Sequence, residues 1–348
     1  MFSVLDMFTI GVGPSSSHTV GPMCAAQAFA SSLEESGAVS RVGRIRVVLY
    51  GSLSLTGLGH GTDRAILAGL EGNVPATVDT DYLLSVRERC AHDGTIHVNG
   101  TNAIAYDDDG DMVFDRWKRL APHPNGMRFQ AFDAQGNIID EQVWYSIGGG
   151  FIRRGRIDDA LISNHEQTPA SSQSPEDSGN DEAAEYGDGV PYPFVSCDGL
   201  IDLCRKHHLS IADVVWANET ARRSPQEVRD RLTRIWNVMS HCIDAGCASA
   251  TPTLPGGLDV PRRAPLMYRR LAANSDVLRR DRRISSALES SDSAWVALFA
   301  MSVSEENAGG GRVVTALPTV RPASFRPCWN TTGTLSSPPT TRASGRSC

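Results

Sequence analysis

Apolar and polar residues alternate in two stretches near the start of the chain. RIRVVLY at 44–50 places Ile45, Val47 and Leu49 on one face, which is the spacing of a half-buried strand. MRFQAFDAQGNIIDEQVWYSIGGGF at 127–151 alternates on both sides of the polar tetrapeptide AQGN, which is typical of two strands joined by a turn. The pattern therefore predicts a strand in the first stretch and a hairpin in the second.

A second spacing, with apolar residues every three or four positions, predicts two helices in the same region. GPMCAAQAFASSLEES at 21–36 ends beside Gly37, and DRAILAGLEG at 63–72 ends in a glycine. Strands and helices are therefore mixed along this part of the chain. We predict an N-terminal mixed α/β domain over residues 1–155.

Residues 156–190 differ in composition from what precedes them. NHEQTPASSQSPEDSGNDEAAEYGDG is rich in serine, proline, glycine, asparagine and acidic residues, with almost no apolar side chain to bury. Such a segment gains too little from burial to offset the entropy of ordering the chain. We predict a disordered interdomain linker here, and limited proteolysis should leave a resistant fragment that ends inside it.

Residues 191–316 have the spacing of helices. In SPQEVRDRLTRIWNVMSHCIDAG, Ser224 suits the N-cap, Pro225 the first helical position and Glu227 the far end of a capping box. Gly246 is expected just past the end of this helix. The fold class is therefore α+β, with an N-terminal mixed α/β domain followed by an incomplete all-helical domain. The apolar residues of this helix form one stripe: Val228, Leu232, Ile235, Trp236, Met239 and Ile243.

The last part of the predicted helical domain is unusually apolar, and the chain after it is unusually polar. AWVALFAMSV at 294–303 is apolar on nearly all sides, so we predict a buried helix that requires neighbours around it. Residues 317–348 hold five prolines and no Asp, Glu or Lys, without a helical or strand period. We therefore expect a folded protein up to Ala316 and a non-native tail after it.

The bulk composition is that of an ordinary globular protein, with 41% hydrophobic and 21% charged residues. The formal net charge of −7 gives no electrostatic reason to expect nucleic acid or an anionic membrane as a partner. No apolar run reaches the roughly 20 residues that span a bilayer, and the first residues lack the basic region of a secretory signal. We expect a cytoplasmic protein.

The eight cysteines include no CxxC pair. In a reducing compartment we expect them to be free thiols that pack as small hydrophobic side chains. Cys242 and Cys247 are five positions apart and Cys197 and Cys204 seven, with no partner pair at zinc spacing. We therefore nominate no metal ligand.

The segment GVGPSSSHTVGP is the sharpest local signal for chemistry, because hydroxyl residues and a histidine lie between two Gly-Pro pairs just before a predicted helix. Hydroxyl and backbone N–H groups at a helix N-terminus favour an anion such as a carboxylate. Capping by Ser16 or Ser17 of a helix that begins near Thr19 is an equally good interpretation. The candidate residues are Ser15, Ser16, Ser17, His18 and Thr19.

The segment YGSLSLTGLGHGTD places His60 between two glycines, which leave its imidazole accessible. A histidine with a pKa near neutrality can take or deliver a proton. Without other support, a loop histidine that only bonds to backbone is the simpler interpretation.

Two triple-glycine runs, in YSIGGGF and SEENAGGGRVVTA, match neither the dinucleotide-binding nor the phosphate-loop pattern. They indicate tight turns or close approaches between chain segments. Asn307, which follows Glu305 and Glu306, is a candidate to bond a substrate amine or carboxylate.

Together these segments resemble the iron–sulfur-dependent L-serine dehydratases of the single-chain bacterial type. The matching stretches occur in the family's order and cover most of residues 1–316, so the combination is highly specific. They are SVLDMFTIGVGPSSSHTVGPM, YGSLSLTGLGHGTDRAILAGLEGNVPATVD, HPNGMRF, YSIGGGF, VPYPF, LPGGLDVPRRA and EENAGGGRVVTA.

The resemblance implies the conversion of L-serine to pyruvate and ammonia. It leaves open whether the protein is a homodimer. It implies a [4Fe–4S] cluster held by three cysteine thiolates, with one iron open to bind the substrate hydroxyl as a Lewis acid. His60 is then our first candidate for the base that removes the α-proton, and His18 our second. The implied substrate pocket contains Ser15, Ser16, Ser17, His18 and Thr19.

The tail has an explanation in the genetic code. The family usually continues after RVVTA with a run like PTNGAAGIIPAVLxYY, whereas this chain gives LPTVRPASFRPCWN. When the third base of each codon from Leu317 is joined to the first two bases of the next, the permitted readings include TNGAAGIIPAVLEYY. Two positions are forced, since Cys328 and Trp329 must give Leu, and Trp329 and Asn330 must give Glu.

We infer that one base was lost near codon 316, so that residues 317–348 are out of frame. The family's cluster ligands lie beyond this point and are absent from the chain. We therefore predict that this polypeptide binds no cluster and has no serine dehydratase activity. We also predict that the helix at 294–303 loses its packing partners, so that the second domain exposes apolar surface and tends to aggregate.

Two functions of other classes stay open on the residues. Residues 1–155 could survive as a module that binds serine or mediates dimerisation without catalysis. A zinc hydrolase that uses His60 and free cysteines is disfavoured by the ligand spacing, and bound zinc would reveal it.

Overall fold

A computed structural model describes residues 3–164, 189–255, 258–280 and 285–316. Its strands are β1 (Phe8–Val12), β2 (Arg44–Tyr50), β3 (Thr95–Val98), β4 (Asn102–Ala105), β5 (Met112–Asp115), β6 (Lys118–Leu120), β7 (Gly126–Phe132), β8 (Ile138–Gly148), β9 (Phe151–Arg154), β10 (Leu161–Ser163) and β11 (Arg312–Ala316). Its helices are α1 (Gly21–Glu35), α2 (Ser52–Thr56), α3 (Thr62–Leu70), α4 (Thr80–Asp93), α5 (Asp108–Asp111), α6 (Cys197–His207), α7 (Ile211–Thr220), α8 (Pro225–Ala248), α9 (Ala264–Arg280) and α10 (Ser285–Ala308).

A seven-stranded mixed sheet forms the centre of the N-terminal region. Its order is β3-β4-β2-β7-β8-β9, with β5 also paired to β2. The strand predicted at 44–50 is β2, and the hairpin predicted at 127–151 is β7 and β8, which pair antiparallel from Gly126 opposite Tyr145 to Phe132 opposite Ile138. Both predictions are confirmed, because each rests on an alternation that only a half-buried strand satisfies.

The core of this region lies between the sheet and two helices. The predicted helices are confirmed as α1 and α3, which pack against each other. The rings of Phe29 on α1 and Phe129 on β7 stack with centroids 5.2 Å apart, and both side chains are fully buried. Helix and sheet therefore share one closed hydrophobic core.

Part of the predicted linker forms a strand. Residues 161–163, inside the predicted linker of 156–190, form β10 and pair with β6 from Leu161 opposite Leu120 to Ser163 opposite Lys118. The composition of the segment did not show this strand, because its order comes from backbone bonds to β6. Residues 165–188 lie outside the described residues.

Helices α6 to α10 form the helical region, and the predicted α+β class is confirmed. The hydroxyl of Ser224 accepts the N–H of Glu227 at 3.1 Å, as predicted for the N-cap of α8. The helix does not stop before Gly246, as we expected, but continues through it to Ala248. A Cβ on Gly246 would lie 2.2 Å from the hydroxyl of Ser302, so this glycine serves the close approach of α10 and not a helix end.

Residues 294–303, which we predicted to need packing partners that this chain does not supply, are only partly buried. They lie on α10, where only Leu298 and Ser302 are buried, and Val296 is 37% exposed. On α8, which packs against α10, Leu232 and Trp236 are also partly exposed, at 36% and 39%. An apolar composition indicates that a helix requires packing partners, whereas its burial depends on which partners the chain provides. Among the described residues, no helix combines the length and the apolar character needed to cross a membrane.

The first residues of the chain are bonded to the helical region. Strand β1 pairs antiparallel with β11, from Phe8 opposite Ala316 to Val12 opposite Arg312. The buried carboxylate of Glu219 on α7 accepts the hydroxyl of Ser3 and the N–H of Val4, both at 2.8 Å. The N-terminal segment, up to and including β1, therefore lies against the helical region, and the chain enters the α/β region directly before Ser15. The predicted non-native tail, 317–348, lies outside the described residues.

Candidate active site

The segment that follows β1 forms a single π-helical turn, Ser16–Val20, before α1 begins at Gly21. Ser15 is its N-cap, since its hydroxyl accepts the N–H of His18 at 3.2 Å. The carbonyl of Ser15 also accepts the N–H groups of Thr19 and Val20. A capping serine therefore exists, but it is Ser15, and the predicted cap at Ser16 or Ser17 is wrong because the turn starts earlier than the sequence indicated.

Both ring nitrogens of His18 are engaged. Its Nδ1 lies 2.9 Å from the hydroxyl of Ser17 and its Nε2 lies 3.0 Å from the hydroxyl of Ser52. Burial lowers the pKa of His18, and the neighbouring His60 lowers it further. His18 is therefore held as a neutral ring between two hydroxyl groups.

His60 ends a short turn, Leu58–His60, that precedes α3. Its Nδ1 lies 2.9 Å from the backbone carbonyl of Thr56. A carbonyl only accepts hydrogen bonds, so Nδ1 carries a proton, and in the neutral form of the ring the lone pair is on Nε2. The two imidazole rings lie with centroids 4.9 Å apart, so the structure brings both histidine candidates together.

The hydroxyl of Thr19 makes hydrogen bonds within the protein. It donates to the backbone carbonyl of His60 at 2.8 Å and accepts the N–H of Ser15 at 3.3 Å. The hydroxyl of Thr62 makes the reverse contact, donating to the backbone carbonyl of His18 at 2.5 Å. The two histidine segments are therefore bonded to each other through their threonines.

The candidate residues open onto two clefts. Thr19 and His60 line the first, here called the histidine cleft, together with Arg64 of α3 and the Gly309–Gly310 turn. Ser15, Ser16 and Asn307 line the second, here called the serine cleft, together with Ser304 and β11. Ser17 and His18 line neither cleft, and Pro14 lies between the two.

Asn307 lies against the loop that leads to Ser15. Its side-chain amide donates to the carbonyl of Pro14 at 2.9 Å. A Cβ on Gly13 would lie 1.8 Å from the backbone oxygen of Asn307, so only glycine permits this approach. The neighbouring acids have other partners: Glu305 accepts two N–H groups at the start of α9, and Glu306 forms an ion pair with Arg262 at 2.7 Å.

The sequence analysis missed Ser52, Thr56, Thr62 and Arg64. The first three supply the hydrogen bonds that hold the two histidines, and Arg64 is the charged side chain that shares the histidine cleft with His60. The only signal in the sequence is the run of hydroxyl residues on both sides of His60. Nothing in that run shows a contact with His18, which is more than 30 positions away.

The described residues do not fit a [4Fe–4S] cluster. No group of three or more His, Cys, Asp or Glu side chains placed to hold a metal occurs in the described ranges. Burial raises the pKa of Cys24 and Cys90 to about 11 and that of Cys242 to about 12, which disfavours the thiolate form that iron binds. Cys328 and Cys348 lie outside the described residues.

Comparison with known proteins gives two matches to family models. Residues 3–156 match the serine dehydratase beta chain, and residues 206–319 match the serine dehydratase alpha chain. The two matches follow the division between the α/β region and the helical region.

Several curated proteins are similar along most of the chain. L-serine dehydratase of Streptomyces coelicolor is 41% identical over 314 residues, which are 90% of this chain and 62% of that protein. L-serine dehydratase 1 of Escherichia coli is 40% identical over 320 residues, 91% of this chain and 63% of that protein. The Helicobacter pylori L-serine dehydratase is 35% identical over 315 residues, 90% of this chain and 62% of that protein.

The chain thus spans a little over three fifths of the length of the curated relatives that it matches. The similarity covers both regions, in the same order, together with the loop that carries Ser15 to Thr19 and the turn that carries His60. The chain belongs to the L-serine dehydratase family.

Proposed function

We propose that this site is the proton-handling part of an L-serine ammonia-lyase, which converts L-serine to pyruvate and ammonia. The observation that carries the proposal is the position of His60, which lines a cleft while its Nδ1 is bonded to the Thr56 carbonyl, so that Nε2 is the ring nitrogen left to take a proton. The names of the relatives support L-serine as the substrate.

In the proposed reaction Nε2 of His60 takes the α-proton of L-serine, and hydroxide leaves from the β-carbon. The enamine that results becomes an imine, and water converts it to pyruvate and ammonia. His18 is the weaker candidate for the base, because both of its ring nitrogens already share hydrogen bonds with hydroxyl groups. Base catalysis of this kind contributes about 10²–10⁴-fold to a rate.

We propose that the hydroxyls of Ser15 and Ser16 and the amide of Asn307 hold the carboxylate and amine of the substrate, and that Ser17, which lines neither cleft, acts through its hydrogen bond to Nδ1 of His18. Ser15, Ser16 and Asn307 all line the serine cleft, which supports this part of the proposal. Thr19, also a candidate, contributes by bonding to the carbonyl of His60.

The [4Fe–4S] cluster that the family resemblance implies would supply a Lewis acid for departure of the hydroxyl group. Because the described residues offer no thiolate set for it, the share of the reaction that falls to these residues is substrate binding and proton removal. We propose that the 348-residue polypeptide binds no cluster and does not turn over L-serine.

We propose further that residues 317–348 are read out of frame. The alpha-chain match ends at residue 319, close to the point where the shifted reading begins, which supports the inference from the codons. Sequencing the gene across codon 316 tests it directly. A reading frame that continues into TNGAAGIIPAVLEYY is expected, and a gene whose second frame encodes nothing of this kind would refute the frame shift.

The six cysteines among the described residues are free thiols. Free thiols are usual in a reducing compartment, which supports our proposal of a cytoplasmic location.

A chimera tests the proposed function. Residues 1–316 are joined to the part of the Streptomyces coelicolor L-serine dehydratase that lies beyond its match, and the product is reconstituted anaerobically with iron and sulfide. We expect pyruvate from L-serine. His60→Asn should lower kcat by about 10²-fold or more, whereas His18→Asn should lower it less. A chimera with an intact cluster whose activity survives His60→Asn would refute the assignment of the base.

A further inference from the structure

The backbone carbonyl groups of the two histidines are bonded to threonines in a reciprocal arrangement. Thr62 follows His60 by two positions and donates its hydroxyl to the carbonyl of His18 at 2.5 Å. Thr19 follows His18 directly and donates its hydroxyl to the carbonyl of His60 at 2.8 Å. Both threonines are buried, so water does not compete for either bond.

The sequence explains why the carbonyl of His18 accepts a side-chain hydroxyl. In α-helical bonding the donor for this carbonyl is the N–H four residues later, and that residue is Pro22, which has none. Pro22 therefore leaves this carbonyl open to a donor from another segment. Thr62, the first residue of α3, supplies it.

Helix α2 holds the two rings in the same way that the threonines hold the two backbones. Ser52, its first residue, bonds through its hydroxyl to Nε2 of His18, and Thr56, its last, bonds through its carbonyl to Nδ1 of His60. These residues are four positions apart, so they lie on one face of one turn. Each histidine is therefore fixed at its ring by α2 and at its carbonyl by a threonine from the other histidine's segment.

We propose that Thr19 and Thr62 are positioning residues, which hold His18 and His60 as a pair and aim Nε2 of His60 at the histidine cleft. The significance of this pair for catalysis rests on the proposed role of His60, but its geometry does not. The titratable or charged side chains lining the histidine cleft in the described residues are His60 and Arg64, and the groups that face the His18 ring are His60, Ser17 and Ser52.

NMR of the full chain with isotope-labelled histidine tests the proposal. Thr62→Val keeps the shape of the side chain and removes its hydroxyl, whereas Thr62→Ser keeps the hydroxyl. In Thr62→Val we expect loss of the nuclear Overhauser contact between the two imidazole rings, and an upward shift of the His18 titration as His60 moves away. In Thr62→Ser we expect the contact and the titration to stay as in the unaltered chain.

Thr19→Val and Thr19→Ser repeat the test from the other side of the pair. The proposal is overturned if both valine variants keep the ring contact and the His18 titration, or if the serine variants lose them as the valine variants do. Collapse of the fold in both valine variants, seen by circular dichroism, would also count against it, because a purely structural role would produce that result.

Failure of this test is distinguishable from failure of the proposed function. If the chimera keeps its activity after His60→Asn, the catalytic role of His60 is refuted, and the threonine contacts are unaffected by that result. If the valine variants lose the threonine hydrogen bonds but keep the ring contact and the His18 titration, the positioning role is refuted, and His60 stays the candidate base.

Discussion

The α/β region and the helical region have similar apolar patterns but different degrees of burial. In the α/β region Phe29, Leu33 and Phe129 are fully buried between helix and sheet. In the helical region Leu232 and Val296 face the surface in part, although each lies on a predicted apolar face. The difference shows that a pattern specifies which residues require cover, and that among the described residues the α/β region buries its apolar side chains more completely than the helical region does.

The same difference divides the site. The histidines and the groups that hold them, on Ser52, Thr56 and Thr62, all belong to the α/β region. The helical region contributes the side of each cleft that carries Asn307 and the glycine turn. The hydrogen bonds that hold the two histidines are therefore made within the region that has the well-buried core.

The largest expected effect comes from the same substitution made in both regions. Leu33→Ala removes a side chain that is 0% exposed and should lower the free energy of unfolding by about 2–5 kcal/mol. Leu232→Ala, at 36% exposed, should lower it by less than about 1 kcal/mol. Urea unfolding of both variants measures the difference. Equal losses would mean that the helical region is as well packed as the α/β region.

A smaller effect is expected where two helices meet. In Gly246→Ala the new Cβ would lie 2.6 Å from the backbone oxygen of Ser302, so α10 must move, at a cost of about 1–3 kcal/mol. Gly199→Ala on α6 is the control, because its nearest neighbour would lie 3.4 Å away and alanine favours a helix by up to about 1 kcal/mol. Thermal unfolding should therefore change in opposite directions. A stabilising Gly246→Ala would show that α8 and α10 do not touch as described.

The smallest effect is a dependence of stability on pH. Burial lowers the pKa of His18 below its ordinary value of 6.5, and burial followed by the charge of Arg153 lowers that of His123. The unfolded chain then binds more protons than the folded one just below pH 6.5, so the free energy of unfolding falls as the pH drops through that range. Above pH 6.5 this loss of unfolding free energy from the two histidines is absent.

Urea unfolding between pH 5 and 8 measures that slope, and His18→Gln and His123→Gln should each reduce it. Equal slopes in the parent and both variants, or a stability that rises toward low pH, would contradict the lowered pKa of these two partly buried histidines.

Local patterns predicted most of the elements in this structure. The strand at 44–50, the hairpin at 127–151 and the cap at Ser224 are each decided by residues within a few positions of one another. The pairing of β1 with β11 was not predicted, because its strands are about 300 residues apart and neither has a distinctive alternation. The strand β10 inside the predicted linker was not predicted for the same reason, since it depends on its partner β6.

The site was predicted in its parts and not in its arrangement. Sequence motifs identified His18, His60 and the hydroxyl run, which the structure brings into one neighbourhood. They did not show that the hydroxyl of Thr19 is used to hold His60, or that Thr62 makes the reverse bond. Whether a hydroxyl faces a ligand or a carbonyl depends on contacts across more than 40 positions of sequence, which a motif does not record.

The most direct test asks whether this chain can bind a cluster and turn over L-serine. The full 348-residue chain is reconstituted anaerobically with iron and sulfide, and iron content and pyruvate formation are measured on the same sample. We predict no stoichiometric cluster and no pyruvate from L-serine. A brown protein that carries a full cluster and consumes L-serine would contradict that prediction.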